Sequence, residues 1–292
     1  LRYLTGFTGE DSWMLITQDE TLVISDGRFL LQLPAMCPFV RVFIRKDSML
    51  KSMAAVLKPF RINRLALQSR HVTLQMRSGL LKQVKSLKAS QLYDADGWME
   101  TLRMLKDEHE LKQIRKAIRI QETAYKRALE QIHPRMTEQH CAALLNYEMR
   151  MAGAEDIAFN TIVAADANGA LPHAMPSSRK LKSGSVVTID FGAVHQGYCG
   201  DITRTIAVRR MTRKLREIYS IVLEAQQASI DAIRHGARFA DVDMAGRKVI
   251  ERAGYGDFFT HSTGHGMGLD VHEKRIVHYR ASGALEAGQV VT

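Results

Sequence analysis

The chain has 292 residues, of which 46% are apolar and 25% charged. This is the composition of a soluble globular protein large enough for one large domain or two ordinary ones, which excludes a peptide hormone or a lone small binding module. No stretch approaches the ~18 uninterrupted apolar residues of a membrane span, and the net charge of +10 is concentrated between Arg41 and Lys88, where 12 basic residues accompany one acid, Asp47.

The first predicted elements are short strands. Trp13 to Thr17 and Thr21 to Ile24 flank a turn at Asp19-Glu20 and form a β-hairpin, followed by the turn signal Asp26-Gly27-Arg28. Arg41 to Ile44 and Arg64 to Leu67 read as further strands, with helical patterns at Ser48 to Leu57 and Leu74 to Leu87. In this region Arg61, Arg64, Arg70, Arg77, Lys82, Lys85 and Lys88 alternate with Leu, Ile, Val and Met. That spacing describes a solvated helix face and argues against a nucleic-acid site. Alternating β and α elements give a small α/β domain ending near residue 96.

A long amphipathic helix is expected from Asp107 to Ile132, with acids at its start and Pro134 beyond its end. A second runs from Thr137, the N-cap candidate, to Met151 before Gly153. Two more are expected at Thr212 to Ile233 and Phe239 to Ala253, so that a second, mixed α/β domain begins near residue 104. Cys37, Cys141 and Cys199 are odd in number, widely separated and without C-x-x-C spacing, which fits a reducing cytoplasm better than a disulfide framework or a zinc ribbon.

Between the helices, Val186 to Val194 and Gly200 to Val208 alternate apolar with small or polar residues around His195-Gln196-Gly197. A loop centred on His195 and Gln196 opposes residues whose numbers sum to 391, placing Asp190 against Asp201, Thr188 against Thr203 and Ile189 against Ile202. Two carboxylates directly opposite on one sheet face repel each other, the more so when partly buried. Such a pair is suited to bridging divalent cations about 3.5–4 Å apart that activate water and polarise a carbonyl. The alternative is that both aspartates edge a solvated sheet face. Downstream, His261, His265 and His272 are interleaved with Gly264, Gly266 and Gly268. Three glycines in five residues disfavour a helix and describe an irregular strand and loop where backbone approaches a ligand or another chain. One imidazole there can ligate metal while others donate hydrogen bonds or carry protons. His173 lies in a loop stiffened by Pro172 and Pro176.

The order His173, Asp190, Asp201, His261, His265, His272 resembles the pita-bread metallopeptidases, the group containing methionine aminopeptidase, aminopeptidase P and prolidase. Tyr3 to Gly9 and Ser25-Asp26-Gly27-Arg28 are similar to the smaller domain of aminopeptidase P and prolidase, which favours the proline-specific branch. The resemblance implies an α/β (α+β) fold, with a creatinase/prolidase-like N-terminal domain at 1–100 and a pita-bread domain at 104–292 that is incomplete at its C-terminal end. It implies that Asp190, Asp201 and His265 ligate two divalent metal ions, manganese ahead of cobalt or zinc, and that His173, His261 and His272 hold substrate and the tetrahedral intermediate. The implied activity is metal-dependent hydrolysis of the peptide bond before proline, by a metal-bridged hydroxide, on peptides or dipeptides. The implied setting is a cytoplasmic homodimer with no membrane or nucleic-acid partner. The family's two further glutamate ligands have no match, since neither Glu273 nor Glu286 fits their positions. The expectation is therefore a sequence truncated at both ends, with weak metal binding, little or no peptidase activity and an exposed sheet edge. A metal-independent creatinase-like hydrolase and a non-catalytic peptidase-like binding protein are the alternatives, and retention of both aspartates and His265 argues against them.

Overall fold

A one-turn helix α1 (Arg2–Thr5) leads into β1 (Trp13–Ile16) and β2 (Thr21–Ser25), which pair antiparallel as the hairpin pattern predicts. The Thr17 hydroxyl closes their turn by accepting the backbone N–H groups of Asp19 and Glu20. All of residues 1–292 are described by this computed structural model, and they divide into two units, 1–100 and 101–292.

In the first unit, α2 (Gln32–Met36) precedes β3 (Arg41–Ile44), which adds in parallel to β2. β2 is buried on both faces, as the central strand of such a sheet must be. Leu22 and Ile24 meet Leu15, Met53, Val56 and Leu80 on one side, whereas Val23 meets Phe7, Leu33 and Cys37 on the other. α3 (Met49–Leu57) and α4 (Leu74–Gln83) begin at Ser48 and Thr73, whose hydroxyls accept N–H groups of their first turns. β4 (Leu65–Leu67) and β5 (Leu92–Asp94) pair in parallel, and α5 (Trp98–Arg103) follows. The sequence pattern extends α4 to Leu87, but the helix stops at Gln83. Val84 leaves the helical conformation, and a turn closed by the Leu87 N–H on the Val84 carbonyl buries both side chains, so the three-residue spacing there reports a turn. Arg61, Arg64, Arg70, Lys82, Lys85 and Lys88 are exposed, but only Lys82 and the half-buried Arg77 lie in a helix, so the expected solvated helix face is instead a set of exposed cations spread over loops and the end of α4.

The second unit is organised by α6 (Glu108–Gln131) and α7 (Glu138–Met151). Asp107 and Glu110 form a reciprocal capping box at the start of α6, satisfying two N–H groups that a helix start leaves open. Thr137 caps α7 through the His140 N–H. Their apolar faces, including Ile120, Ala124, Leu145 and Met149, pack against Val163, Val187, Ile189 and Phe191, each large side chain so buried contributing about 1.5–3 kcal/mol. The strands are β6 (Asp156–Ile157), β7 (Ile162–Ala165), β8 (Val186–Phe191), β9 (Ala193–His195), β10 (Tyr198–Cys199) and β11 (Ile202–Ala207). β8 is central in the order β11-β8-β7, and β9 is central in β10-β9-β6. Because side chains alternate along a strand, burying Val187, Ile189 and Phe191 against the helices turns Thr188 and Asp190 to the opposite face.

The hairpin register differs from the expected one. Tyr198 opposes His195 and Thr203 opposes Asp190, so paired residue numbers sum to 393 rather than 391. The turn is centred on Gln196 and Gly197, which both have positive φ, 46° and 79°. A two-residue turn that matches strand twist needs positive φ at both central positions, and Gly197 satisfies this where His195 would not. The backbone N–H groups of Gln196 and Gly197 both donate to the Glu155 carboxylate, which anchors the turn. Ile189 therefore opposes Arg204, and Asp201 stands diagonal to Asp190 instead of opposite it.

The chain continues through α8 (Arg213–Ala232) and α9 (Phe239–Arg252), which pack on each other, to β12 (Gly264–Gly266) and β13 (Glu273–Val277), an irregular antiparallel pair. A bulge between His265 and Gly266 interrupts their pairing. No helix is long and apolar enough to cross a membrane.

Candidate metal centre

Asp190 projects from β8 on the face away from the helical core and accepts a hydrogen bond from the Thr203 hydroxyl at 2.8 Å. Asp201 immediately precedes β11. Between them lies a packing device that the sequence reading did not identify. The fully buried Gln121 of α6 donates from Nε2 to the Phe191 carbonyl, beside Asp190, at 2.7 Å. A Cβ on Gly200, beside Asp201, would stand 1.9 Å from Gln121 Oε1. One helix side chain thus sets the backbone next to both aspartates, and Gly200 is required by that close approach.

His265 Nε2 lies 3.5 Å from Asp201 Oδ2. Its Nδ1 is 3.0 Å from the Gly266 carbonyl oxygen, an acceptor to which an Nδ1–H donates, so that hydrogen bond orients the ring with Nε2 toward Asp201. The His265 and His272 rings meet with centroids 4.3 Å apart. The glycines of this strip answer to backbone crowding. A Cβ on Gly264 would lie 1.9 Å from the Thr292 carbonyl oxygen, and one on Gly266 would lie 2.3 Å from that of Lys274. The close approach read from the glycine spacing is therefore to the chain's own backbone.

The electrostatics join five of the six predicted residues. Burial pushes the Asp190 carboxyl above the usual carboxylate range, opposed by the Thr203 hydroxyl and by the charges of His265, His272 and His173. Asp201 is pushed up to about 6, first by burial and then by the charge of Asp190, with His272 opposing. His272 is held below the usual imidazole range by burial and by His265. Asp190, Asp201, His265, His272 and His173 therefore share one neighbourhood. The exposed His261 ring packs edge-on to Phe259, and its carbonyl accepts from Arg247.

Neither aspartate is paired with a lysine or arginine, so two half-buried like charges lie near each other with only imidazoles and a hydroxyl nearby. Carboxylate oxygens with imidazole nitrogen are a donor set that divalent cations accept, and the uncompensated charge fits one. The side chains do not close into a cage, as no group of three or more His, Cys, Asp or Glu is arranged to hold a metal ion.

Three buried carboxylates outside this cluster hold nearby loops; of these the sequence brings up only Glu273, as a glutamate that does not match a family ligand position. Glu138, at the start of α7, is fully buried and accepts from Ala165 N, Asn168 Nδ2 and Ser177 N and Oγ, fixing the two ends of the loop that carries His173. Asp243 in α9 pairs with Arg247 at 2.7 Å and accepts from Thr263, while Arg247 donates to the Phe259 and His261 carbonyls. Glu273 lies beside His272 and takes Lys106 at 3.0 Å together with Arg103. Apart from the Asp243–Arg247 pair at i,i+4 and the Asp270 N–H on Glu273, the partners of these carboxylates are distant in sequence, so no local motif marks their role.

Residues 112–292 match metallopeptidase family M24, and residues 1–105 match the creatinase/prolidase N-terminal domain. A Xaa-Pro dipeptidase of Pyrococcus furiosus is 42% identical over 198 residues, 68% of this chain and 57% of that one. The crystal structure of an X-Pro aminopeptidase from Thermotoga maritima superposes with a TM-score of 0.92 at 35% identity, over 99% of this chain and 82% of that one. A Xaa-Pro dipeptidase from Bacillus anthracis superposes with a TM-score of 0.95 at 34% identity, over 99% and 81%.

Proposed function

Because the chain belongs to metallopeptidase family M24 and carries the creatinase/prolidase N-terminal domain, we propose that it is a metal-dependent exopeptidase that hydrolyses the bond before proline in a dipeptide or at a peptide N-terminus. Its fold is the mixed α/β fold of that family, with the pita-bread domain following the smaller one. The observation that carries the proposal is the half-buried pair Asp190 and Asp201, without a lysine or arginine partner, with His265 at 3.5 Å from Asp201 and His272 and His173 in electrostatic reach. The proline specificity rests on the printed activities of the similar proteins.

Asp190, Asp201 and His265 would hold two divalent metal ions, which when bound supply an activated water and polarise the scissile carbonyl. Thr203 keeps one Asp190 oxygen oriented by its hydrogen bond, leaving the other free to ligate. His272, whose imidazole is held below its usual range by desolvation and by its neighbour His265, is suited to donate a hydrogen bond to a developing oxyanion. His173 and the exposed His261 are assigned to substrate positioning and proton delivery. The same reading takes manganese as the metal, a reducing cytoplasm as the compartment, consistent with three buried free cysteines, and a homodimer as the assembly.

The test is calorimetric titration with manganese alongside hydrolysis of Ala-Pro and Ala-Pro-Ala. Weak manganese binding and slow cleavage before proline are expected, both abolished in Asp190→Asn and Asp201→Asn. Manganese binding that survives both substitutions, or cleavage indifferent to proline, would refute the proposal.

A further inference from the structure

Resting on that reading, we infer that Glu273, clamped by Arg103 and Lys106, is the positioning residue that sets His265 and His272 against each other. His265 in β12 and His272 just before β13 stand at the mouth of one loop, residues 267–272, and their rings touch there. The Glu273 carboxylate lies at its base. Its Oε1 accepts the Asp270 N–H at 3.3 Å and is bridged by Arg103, and its Oε2 accepts from Lys106 Nζ at 3.0 Å. Arg103 also reaches Asp270 Oδ2 at 2.7 Å. The loop is tied from outside as well, since the Cys199 N–H donates to the Gly268 carbonyl at 2.8 Å.

The space for this carboxylate is made by a glycine. A Cβ on Gly268 would stand 2.7 Å from Glu273 Oε1 and 2.9 Å from Oε2. Gly268 therefore has a reason distinct from those of Gly264 and Gly266: it admits an anion, where they admit backbone.

The cluster is dry and charged. The side chains of Glu273 and Lys106 are 5% and 1% exposed and that of Arg103 is 15% exposed. Desolvation makes a buried ion pair a poor source of net stability compared with well-packed apolar side chains, yet breaking one partner is severe. A buried charge cluster directed at a single loop thus sets that loop's conformation more than it adds to overall stability. Glu273 acts on His272 as its chain neighbour, and on His265 through the ring contact and the loop's other end, where Met267 is buried. It touches neither aspartate in the bonding seen, so its effect on the centre passes through the two imidazoles.

The experiment follows imidazole resonances by long-range 1H–15N NMR in the metal-free full chain, with Tm and manganese affinity recorded on the same samples. Glu273→Gln and Gly268→Ala are each expected to displace the His265 and His272 signals and leave His133 and His235 unmoved. The weakening of manganese binding is expected to be on the order of tenfold, the range seen when groups supporting metal ligands are removed. The double variant Lys106→Met/Glu273→Met replaces the ion pair with apolar side chains, keeps Tm within a few degrees, and shows the same displaced signals. A purely structural role would lower Tm without moving those two histidines, and that result, or unmoved signals in the double variant, overturns the inference. Displaced signals in a chain that binds no manganese would uphold the positioning role and overturn the peptidase reading; manganese binding with unmoved signals would do the reverse.

Discussion

Asp201 is the residue at which burial and function conflict most directly. Its carboxyl sits at about 6 in the folded chain against 3.8 unperturbed, through burial and the facing Asp190. The folded state then holds a proton that the unfolded state has released. Stability accordingly falls as pH rises from about 4 to about 6, and the full cost is present above that range. At about 1.4 kcal/mol per unit, this cost is about 2–3 kcal/mol as an order of magnitude. Asp201→Asn should therefore make the metal-free chain more stable than the wild type at pH 8, with the difference closing toward pH 4. Denaturant unfolding across that range measures it, and an equal or lower stability of the variant at pH 8 would contradict the assigned pairing. Manganese should reverse the order, because a bound cation neutralises the pair only where both carboxylates remain.

At the scale of elements, the centre is held by contacts between a helix and strand ends. Gly200 between β10 and β11 allows Gln121 of α6 to reach the Phe191 carbonyl of β8. Gly200→Ala places a methyl group 1.9 Å from the oxygen of the fully buried Gln121, whose amide is tied to the Phe191 carbonyl through Nε2. We expect a loss of about 2–3 kcal/mol, in the range of overpacked cores, together with loss of manganese binding as Asp201 is displaced. Glu155, which holds the Gln196-Gly197 turn through two N–H groups, lies at the far end of the same hairpin. Glu155→Gln is expected to lower stability by about 1 kcal/mol with manganese binding unchanged. Chemical denaturation and titration of the two variants separate the ends of the hairpin: equal effects on metal binding would show that Gly200 acts only through stability.

For the whole molecule, the thiols report on global opening. Cys37, Cys141 and Cys199 are all buried and free. Burial pushes Cys141 up to about 11 and Cys199 up to about 12, so both stay protonated at pH 8. Since the thiolate is the reactive species, modification of these two by a thiol-specific disulfide reagent at pH 8 should occur only at the rate of unfolding and rise in parallel with denaturant-induced loss of structure. Rapid stoichiometric labelling of either in the native chain would contradict this burial. Cys141 belongs to the core under β8 and Cys199 to the smaller cluster with Ile114, Tyr198 and Met267, so their relative labelling rates tell whether those two cores open together.

Periodicity, capping residues and turn signals were enough to read most elements from the sequence alone, because they act within a few residues. Ser48, Thr73, Asp107 and Thr137 cap helices where the pattern predicts starts, and β1 to β3 fall where the apolar alternation lies. The order of His173, Asp190, Asp201, His261, His265 and His272 was also sufficient to indicate the family. What required the tertiary structure was set by distant partners. The hairpin register turned on which two residues accept positive φ and on Glu155, some forty positions earlier, receiving their N–H groups. The juxtaposition of Asp190 and Asp201 with His265 and His272 depended on how β8, β11 and the β12–β13 loop pack. Glu138, Asp243 and Glu273 carry no local signature, because a buried carboxylate is recognised only by donors that the fold brings to it.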